Sequence, residues 1–397
     1  MIENNNTFCI LPWLHIHHSP EGYVLPCCIA DMEYKHSIPN EGTIDEQMNS
    51  EFMRELRLNM VAGIKTDICK SCYKSEDAGH RSFRLEANEL YKKHMGLVDD
   101  TDIDGSIKHF RMRYFDIRFS NICNFKCRTC NAGYSSQWEI EDRQQGILTK
   151  PKDKNNAHST LQCVLEHVPH MEKAYFAGGE PLVTGEHYEI IKHMIDSGRT
   201  DIELIYNTNI SNLNFKNNNI AELWNNFERP IGVYASLDHY GIKGEYIRSG
   251  TVWNQIEENY KILRAMPNVQ LNITTTVCAL NYVSLPKFFL HMWENDMWPE
   301  GHWQLNPVFN PEYLSIHSIP QHTKEQGRRN WLAVCDQLQG KIDQETLNNF
   351  RNFPDVVDSE NTWELNKQQF IYHTERLDQI RGEDFGLVFP ELEEMCA

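Results

Sequence analysis

Short apolar runs recur along the middle of the chain, and each is bounded by turn residues. They lie at 112–119, 172–177, 202–206, 231–237, 270–277 and 302–306. The first run has the period of a strand, because Phe115, Ile117 and Phe119 alternate with Tyr114, Asp116 and Arg118. The pattern therefore predicts six β-strands.

Segments between these runs have the spacing of amphipathic helices, as in His187, Ile190, Ile191 and Met194. Strands that alternate with helices predict parallel βα units. We expect either a doubly wound α/β sheet or an incomplete barrel. In both folds the functional residues gather at the carboxyl ends of the strands.

The segments that flank this region differ from it. Residues 1–105 combine five cysteines with two predicted helices, at 44–62 and 74–93, and end in an acidic bridge at 99–105. They also contain a predicted hairpin in which His15–His18 and Tyr23–Pro26 flank a Ser-Pro-Glu-Gly turn, and its histidines are expected to be exposed. After residue 310 the pattern is mostly helical, best at 322–339 and 361–380. Three domains are predicted, at 1–105, 106–310 and 311–397.

Charge and composition narrow the classes of partner and compartment. The formal charge is −18, from 38 basic and 56 acidic residues, so no broad positive surface for nucleic acid or an anionic membrane is expected. No stretch approaches the roughly 18 apolar residues of a membrane span, and Met1 to Thr7 is polar instead of a charged start followed by an apolar run. We expect a cytoplasmic protein.

The cysteines are the strongest chemical signal in the sequence. Thiols stay reduced in the cytosol, so clustered cysteines in an enzyme-sized chain indicate metal rather than disulfides. Eight of the twelve are clustered: Cys9, Cys27, Cys28, Cys69, Cys72, Cys123, Cys127 and Cys130. The other four, Cys163, Cys278, Cys335 and Cys396, are isolated and are expected to be ordinary core or surface residues.

Three of the clustered cysteines follow the first predicted strand as Cys123-x3-Cys127-x2-Cys130. Three thiolates on one loop suit an iron-sulfur cubane with one iron left without a protein ligand. The alternative is a structural zinc site completed by a distant His or Cys. A position at the carboxyl end of a barrel strand favours the catalytic cluster.

Polar or glycine-rich tips follow the next strands. Gly178-Gly179-Glu180-Pro181 ends the second, where the glycines let backbone approach a ligand and the carboxylate can pair with an ammonium group. The third and fourth strands end in polar tripeptides, and an arginine follows the fourth. These residues are Asn207-Thr208-Asn209, Ser236-Leu237-Asp238 and Arg248.

The loop of three cysteines, so placed, resembles the motif of the radical S-adenosylmethionine (SAM) superfamily. The resemblance implies a partial (β/α)6 barrel and a [4Fe-4S] cluster on Cys123, Cys127 and Cys130, whose open iron binds the amino and carboxylate groups of SAM. It also implies reductive cleavage of SAM to a 5′-deoxyadenosyl radical, with flavodoxin or ferredoxin as the electron donor.

The same resemblance assigns roles at the strand ends. Gly178, Gly179 and Glu180 look like the GGEP element that binds the SAM amine, and Arg248 resembles the arginine that pairs with the SAM carboxylate. Asn281, just past the fifth strand, is similar in position. By the same resemblance, Asn207, Ser236 and Asp238 are expected to contact the ribose and methionine parts of SAM. In one departure, Thr129 stands where the family has an aromatic residue. The candidates for adenine stacking are therefore Phe125 and Tyr134.

A second set of cysteines lies near the amino terminus. The sequence Cys-Ile-Leu-Pro-Trp, which begins at Cys9, and the Gly-x4-Cys spacing from Gly22 to Cys27 resemble the auxiliary-cluster unit called SPASM or twitch. That unit normally follows the barrel, whereas here it precedes it. The resemblance implies a second [4Fe-4S] cluster, with Cys28 or Cys27 left over. A zinc knuckle built from the same residues is the alternative. The assigned ligands are Cys9, Cys27, Cys69 and Cys72.

Three functions remain open from the sequence. The first is a radical SAM oxidoreductase that modifies a peptide or protein side chain. The second is a radical SAM dehydrogenase of a small molecule such as a sugar or cyclitol. The third is a non-catalytic zinc-binding interaction protein, for which metal analysis would find zinc without iron or sulfide.

Overall fold

The structure is a computed structural model that describes residues 5–148 and 157–396. By Cα proximity the chain divides into two compact units. Unit 1 contains residues 1–123, 142–206 and 218–231, and unit 2 contains residues 124–141, 207–217 and 232 onward.

Strands and helices alternate through most of the described chain. The strands are β1 (His15–His18), β2 (Val24–Leu25), β3 (Tyr114–Ile117), β4 (Lys173–Phe176), β5 (Glu203–Thr208), β6 (Asn214–Phe215), β7 (Asn218–Asn219), β8 (Ile231–Ser236), β9 (Val269–Val277) and β10 (Trp303–Pro307). The helices are α1 (Ile44–Met48), α2 (Glu51–Val61), α3 (Lys70–Asp77), α4 (Phe83–Leu90), α5 (Ser136–Gln144), α6 (Ala157–His167), α7 (Gly185–Asp196), α8 (Ile220–Trp224), α9 (Gly241–Ile247), α10 (Trp253–Arg264), α11 (Leu285–Glu294), α12 (Gln321–Leu338), α13 (Gln344–Asp358), α14 (Trp363–Arg381) and α15 (Phe385–Val388). The six predicted strands correspond to β3, β4, β5, β8, β9 and β10, so the predicted α/β class is confirmed.

The sheet of unit 1 has the order β2-β1-β3-β4-β5. β1 and β2 form the predicted antiparallel hairpin, with His17 opposite Leu25. The other pairs are parallel, and β1 lies beside β3 with His15 opposite Tyr114. The amino-terminal hairpin therefore extends the sheet that contains the predicted strand before the cysteine loop.

Side chains of the parallel strands alternate between the two faces of this sheet. Phe115, Phe176 and Tyr206 lie on one face, with ring centroids 5.2 and 5.0 Å apart in succession. His187 of α7 packs edge-on against Phe176 at 4.9 Å. Because neighbouring residues of a strand point to opposite faces, Asp116 lies on the other face of the sheet.

In unit 2, β8, β9 and β10 are neighbours in that order, and β9 and β10 are parallel with Ile273 opposite Trp303. The predicted carboxyl-terminal helices at 322–339 and 361–380 are confirmed as α12 and α14. Helix α13 was not predicted. Its Phe350 stacks on Phe289 at 4.1 Å, and its Phe353 stacks on Trp331 at 5.1 Å.

No helix among the described residues is both long and apolar enough to cross a lipid bilayer.

Candidate functional site

The loop of three cysteines begins after β3 and contributes to both units. Cys123 belongs to unit 1, whereas Cys127 and Cys130 belong to unit 2. All three side chains are partly buried. Burial raises the pKa of Cys127, and burial together with the neighbouring Cys127 raises the pKa of Cys130 to about 12. A metal that binds these thiols would have to displace their protons.

The second half of this loop is fixed by hydrogen bonds along its backbone. The amide of Lys126 donates to the carbonyl of Ser249 at 2.8 Å, and the amide of Arg128 donates to the carbonyl of Ile247 at 2.7 Å. The indole of Trp138 donates to the carbonyl of Cys127 at 2.7 Å. The backbone on both sides of Cys127 is therefore held by helix α9, its following turn and helix α5.

Three of the predicted site residues meet in unit 2. Nε of Arg248 lies 3.3 Å from Oδ2 of Asp238, and its Nη1 lies 3.9 Å from Sγ of Cys127. Burial raises the pKa of Asp238, while Arg248 and a hydrogen bond from the amide of Thr276 at 2.8 Å act in the opposite direction. The guanidinium of Arg248 also opposes the effect of burial on Cys127, so it favours a thiolate there.

Asn209, directly after β5, contacts the same loop. Asn209 donates to Oδ1 of Asn124 at 3.0 Å, and Asn124 donates to Oγ of Ser211 at 2.8 Å. Asn207, by contrast, is partly buried at the end of β5. The third strand tip therefore holds the residue that follows Cys123 in the sequence.

The remaining predicted residues of unit 2 have different surroundings. Ser236 ends β8 and is partly buried, whereas Asn281 is fully buried and donates to the carbonyls of Asp238 and Thr276 at 3.0 and 2.9 Å. Of the two candidates for adenine stacking, Phe125 is only 2% exposed and Tyr134 is partly exposed. Phe125 is part of the interior, which leaves Tyr134 as the accessible ring.

The glycine pair of unit 1 presses against the residue before Cys123. Gly178 and Gly179 have φ values of +81° and +55°, in the left-handed region that disfavours other residues. A Cβ on Gly179 would lie 2.3 Å from the carbonyl oxygen of Ile122. The amide of Glu180 donates to that same oxygen at 2.8 Å. Only glycine at position 179 permits this close approach.

Glu180 itself is buried. The residue is 2% exposed, and its Oε1 accepts a hydrogen bond from the amide of Leu182 at 3.0 Å. The carboxylate thus caps the short 3-10 helix Pro181–Val183. Its predicted contact with the SAM amine stays a prediction.

The amino-terminal cysteines meet in unit 1. Four of them line one small cavity. Apolar side chains and Arg84 complete the wall. The four are those assigned from the sequence, namely Cys9, Cys27, Cys69 and Cys72. Cys28 does not line it, so the placement distinguishes Cys27 from Cys28 as the cavity-facing residue.

Burial has the same effect on all four thiols. It raises the pKa of Cys9 to about 12 and raises the pKa of Cys27, Cys69 and Cys72. Arg84 lowers the pKa of Cys9, Cys69 and Cys72 against this effect. Four thiols that line one largely apolar cavity have the donor chemistry of an iron-sulfur cluster site. Within residues 5–148 and 157–396, no three His, Cys, Asp or Glu side chains are arranged to hold a single metal ion.

The expectation that the hairpin histidines are exposed is wrong. His15, His17 and His18 are at most 5% exposed, because β1 lies inside the sheet between β2 and β3 and its side chains are covered on the faces of the sheet. The ring of His15, for example, stacks on that of Tyr114 at 4.4 Å. Nδ1 of His17 lies 2.9 Å from Oδ2 of Asp116, which is fully buried. Sequence reasoning missed this pair because its members come from strands that are far apart in the chain.

Comparison with solved structures finds partial likeness in fold. Tagged anSMEcpe with bound AdoMet matches at TM-score 0.40 and 16% identity, over 56% of this chain and 60% of that one. SuiB of Streptococcus suis bound to S-adenosylmethionine matches at TM-score 0.35 and 15% identity, over 74% and 62%. TYW1 with a lysine-pyruvate adduct matches at TM-score 0.32 and 13% identity, over 59% and 76%.

This chain spans about 60% of the length of the anSMEcpe structures that it matches. No protein family matches the sequence, and no curated protein matches it. With TM-scores of 0.40 or lower, the function rests on the residues of the site.

Proposed function

We propose that this protein is a radical SAM enzyme. The observation that supports the proposal best is the motif Cys123-x3-Cys127-x2-Cys130 after β3, with the Gly178-Gly179 turn packed against the residue before Cys123. Three thiolates for a four-iron cluster leave one iron open to a small chelating ligand. In this proposal β3, β4, β5, β8, β9 and β10 are the strands of a partial (β/α)6 barrel.

A [4Fe-4S] cluster on these thiols would supply the electron that splits SAM into methionine and a 5′-deoxyadenosyl radical. The protein's own residues would bind and orient the cosubstrate. Arg248 stands beside Cys127 with one guanidinium edge toward Asp238, so its position suits a carboxylate next to the cluster. Glu180, in the GGEP turn, is assigned to the SAM amine. The reductant would be a flavodoxin or ferredoxin, and the compartment the cytoplasm.

A second [4Fe-4S] cluster is proposed for the cavity lined by Cys9, Cys27, Cys69 and Cys72. Four thiols would ligate every iron, which favours electron transfer over substrate binding at this cluster. Arg84 in the cavity wall would stabilise the negative charge of the thiolates. In this proposal the amino-terminal unit is of the SPASM or twitch type, placed before the barrel instead of after it. A zinc site on the same thiols is the competing assignment, and metal analysis separates the two.

The substrate is proposed as a peptide or protein side chain, oxidised or otherwise modified after hydrogen abstraction. The support for a peptide is the resemblance of the amino-terminal cysteine set to the SPASM unit; the proposed auxiliary cluster would accept the electron returned by a substrate radical. A small molecule such as a sugar or cyclitol is the alternative. Formation of 5′-deoxyadenosine in the presence of peptide pools and of metabolite pools would distinguish them.

The test of the enzymatic proposal is Cys127→Ala, compared with Cys163→Ala as a matched control outside both cysteine sets. After anaerobic reconstitution, wild-type protein and the control should bind iron and sulfide at both sites and form methionine and 5′-deoxyadenosine under reduction. Cys127→Ala should lose both products while it keeps the iron of the amino-terminal site. Unimpaired SAM cleavage by Cys127→Ala would overturn the assignment.

A further inference from the structure

Arg128 stands between two of the cysteines assigned to the first cluster, and it is buried. Its side chain is 3% exposed, and its Nη2 lies 2.5 Å from Oδ1 of Asp378 and 2.6 Å from Oε2 of Glu383. Its guanidinium also stacks on the ring of Tyr246, 3.6 Å from the centroid. A charged residue of the cysteine loop is thus held by acids that come from the carboxyl-terminal part of unit 2.

The acids are themselves fixed. Oδ1 of Asp378 accepts a hydrogen bond from the hydroxyl of Tyr246, and Oδ2 accepts one from the amide of Phe385, both at 2.7 Å. Gly382 ends helix α14 in the left-handed conformation, with φ +66°. This turn brings Glu383 back toward Asp378, whose carbonyl accepts the amide of Glu383 at 3.0 Å. Arg128 therefore meets a preformed acidic pair.

A second group of contacts joins the same helix end to the loop. The side chain of Arg381 is 2% exposed and pairs with Glu141, with contacts of 2.8 to 3.3 Å to both carboxylate oxygens. It lies over the ring of Trp138, which holds the carbonyl of Cys127. Glu141 also binds Lys126 at 2.5 Å. Both residues beside Cys127 are in this way linked to the end of α14.

The charges of the two groups balance. Lys126, Arg128 and Arg381 supply three positive charges, and three carboxylates, Glu141, Asp378 and Glu383, supply three negative ones. Removing one member leaves a buried charge without its partner, which is far more costly than removing an exposed one. The conformation of the cysteine loop and the docking of the helix end are therefore energetically coupled.

We propose that Arg128 and Asp378 are positioning residues, which keep the loop in the conformation that presents Cys127 and Cys130 to the first cluster. The inference rests on the proposed function, because it assigns a role at the same cluster. It also gives the carboxyl-terminal helix a function: its end, from Asp378 to Glu383, acts as a brace for the cluster loop.

The experiment compares Asp378→Asn with Glu375→Gln, an exposed acid one turn earlier on α14. Both proteins are reconstituted anaerobically, and iron release from each cysteine site to a chelator is followed with the electron paramagnetic resonance signal that responds to SAM. For Asp378→Asn we expect release from the first site to accelerate about tenfold, as loss of one charge-assisted hydrogen bond implies. The amino-terminal site should release its iron at the wild-type rate in both variants.

A milder variant, Tyr246→Phe, removes only the hydroxyl that donates to Asp378 and keeps the ring beneath Arg128. It should give a smaller change of the same kind. Wild-type release from the first site in Asp378→Asn, or equal acceleration at both sites, would overturn the inference. If wild-type protein forms no cluster that responds to SAM, the proposed function fails instead, so the two failures are distinct.

Discussion

Replacing Gly179 with alanine should displace the loop that contains Cys123. The new Cβ would lie 2.3 Å from the carbonyl oxygen of Ile122, whereas Cβ contacts below 3.0 Å essentially never occur. The distance is 0.7 Å shorter than this limit (3.0 − 2.3), and the atom that the Cβ would meet belongs to the backbone, which cannot rotate away as a side chain can. Either the Gly178-Gly179 turn or the residue before Cys123 must move.

The free-energy cost follows from two terms. A left-handed conformation costs a residue with a Cβ about 1–2 kcal/mol, and overpacking at a tight contact costs about 1–3 kcal/mol. Gly179→Ala should therefore destabilise the protein by about 2–5 kcal/mol. Gly198 isolates the first term, since its φ is +69° and a Cβ there meets nothing within 4 Å. Gly198→Ala should cost only about 1–2 kcal/mol.

The assay combines urea unfolding of the protein with iron analysis after anaerobic reconstitution. Gly179→Ala should lower the unfolding midpoint more than Gly198→Ala and should lose the iron of the first site while it keeps the iron of the amino-terminal site. Gly185→Ala, where a Cβ also meets nothing, should behave like wild type in both measurements. Equal midpoints for Gly179→Ala and Gly198→Ala, with full iron at the first site, would refute the argument from close approach.

Three further predictions concern other parts of the chain. Cys27→Ala should lose the iron of the amino-terminal site and Cys28→Ala should keep it, because of these two residues only Cys27 lines the cavity. Equal iron contents in the two variants would contradict this placement. Burial lowers the pKa of His187 to about 3, so the unfolded state takes up a proton that the folded state refuses as pH falls below about 6.5. Between pH 6.5 and 4.5 the free energy of unfolding of the wild type should consequently fall by up to about 1.4 kcal/mol per pH unit more than that of His187→Gln. If chemical unfolding gives the two proteins the same dependence of this free energy on pH, the prediction is wrong. Lys324 is fully buried and donates to the carbonyl of Val357 at 2.8 Å, so Lys324→Met should lower the free energy of unfolding by about 1–3 kcal/mol in the same assay. An unchanged unfolding midpoint would show that this hydrogen bond does not stabilise the protein.

The strands were predictable because buried parallel strands are short apolar runs bounded by turns. Each of the six lies within two residues of its predicted bounds. The predicted helix at 44–62 is instead two helices. Asn49 exchanges two hydrogen bonds with the backbone of Ile107, both at 2.9 Å, and Ser50 caps the helix that follows. Such a break depends on a contact with a distant residue and is absent from local periodicity.

The candidate site shows the same division. The motifs located the cysteines, the glycine pair and Arg248, because each depends on neighbours in sequence. The buried pair of His17 and Asp116 joins residues 99 apart, and the pair of Arg128 and Asp378 joins residues 250 apart. Long-range pairs of this kind leave no local pattern, and the choice between Cys27 and Cys28 likewise required the folded backbone.

The parallel pairing of β1 with β3 has a consequence for dissecting the protein. A chain shortened to begin at residue 106 would lose β1 and leave one side of β3 with unpaired amides and carbonyls. Bare strands of that kind recruit strands from neighbouring molecules and promote aggregation. Insolubility of the shortened chain would then reflect an uncovered sheet margin, and would say nothing about whether its cysteine loop can bind iron.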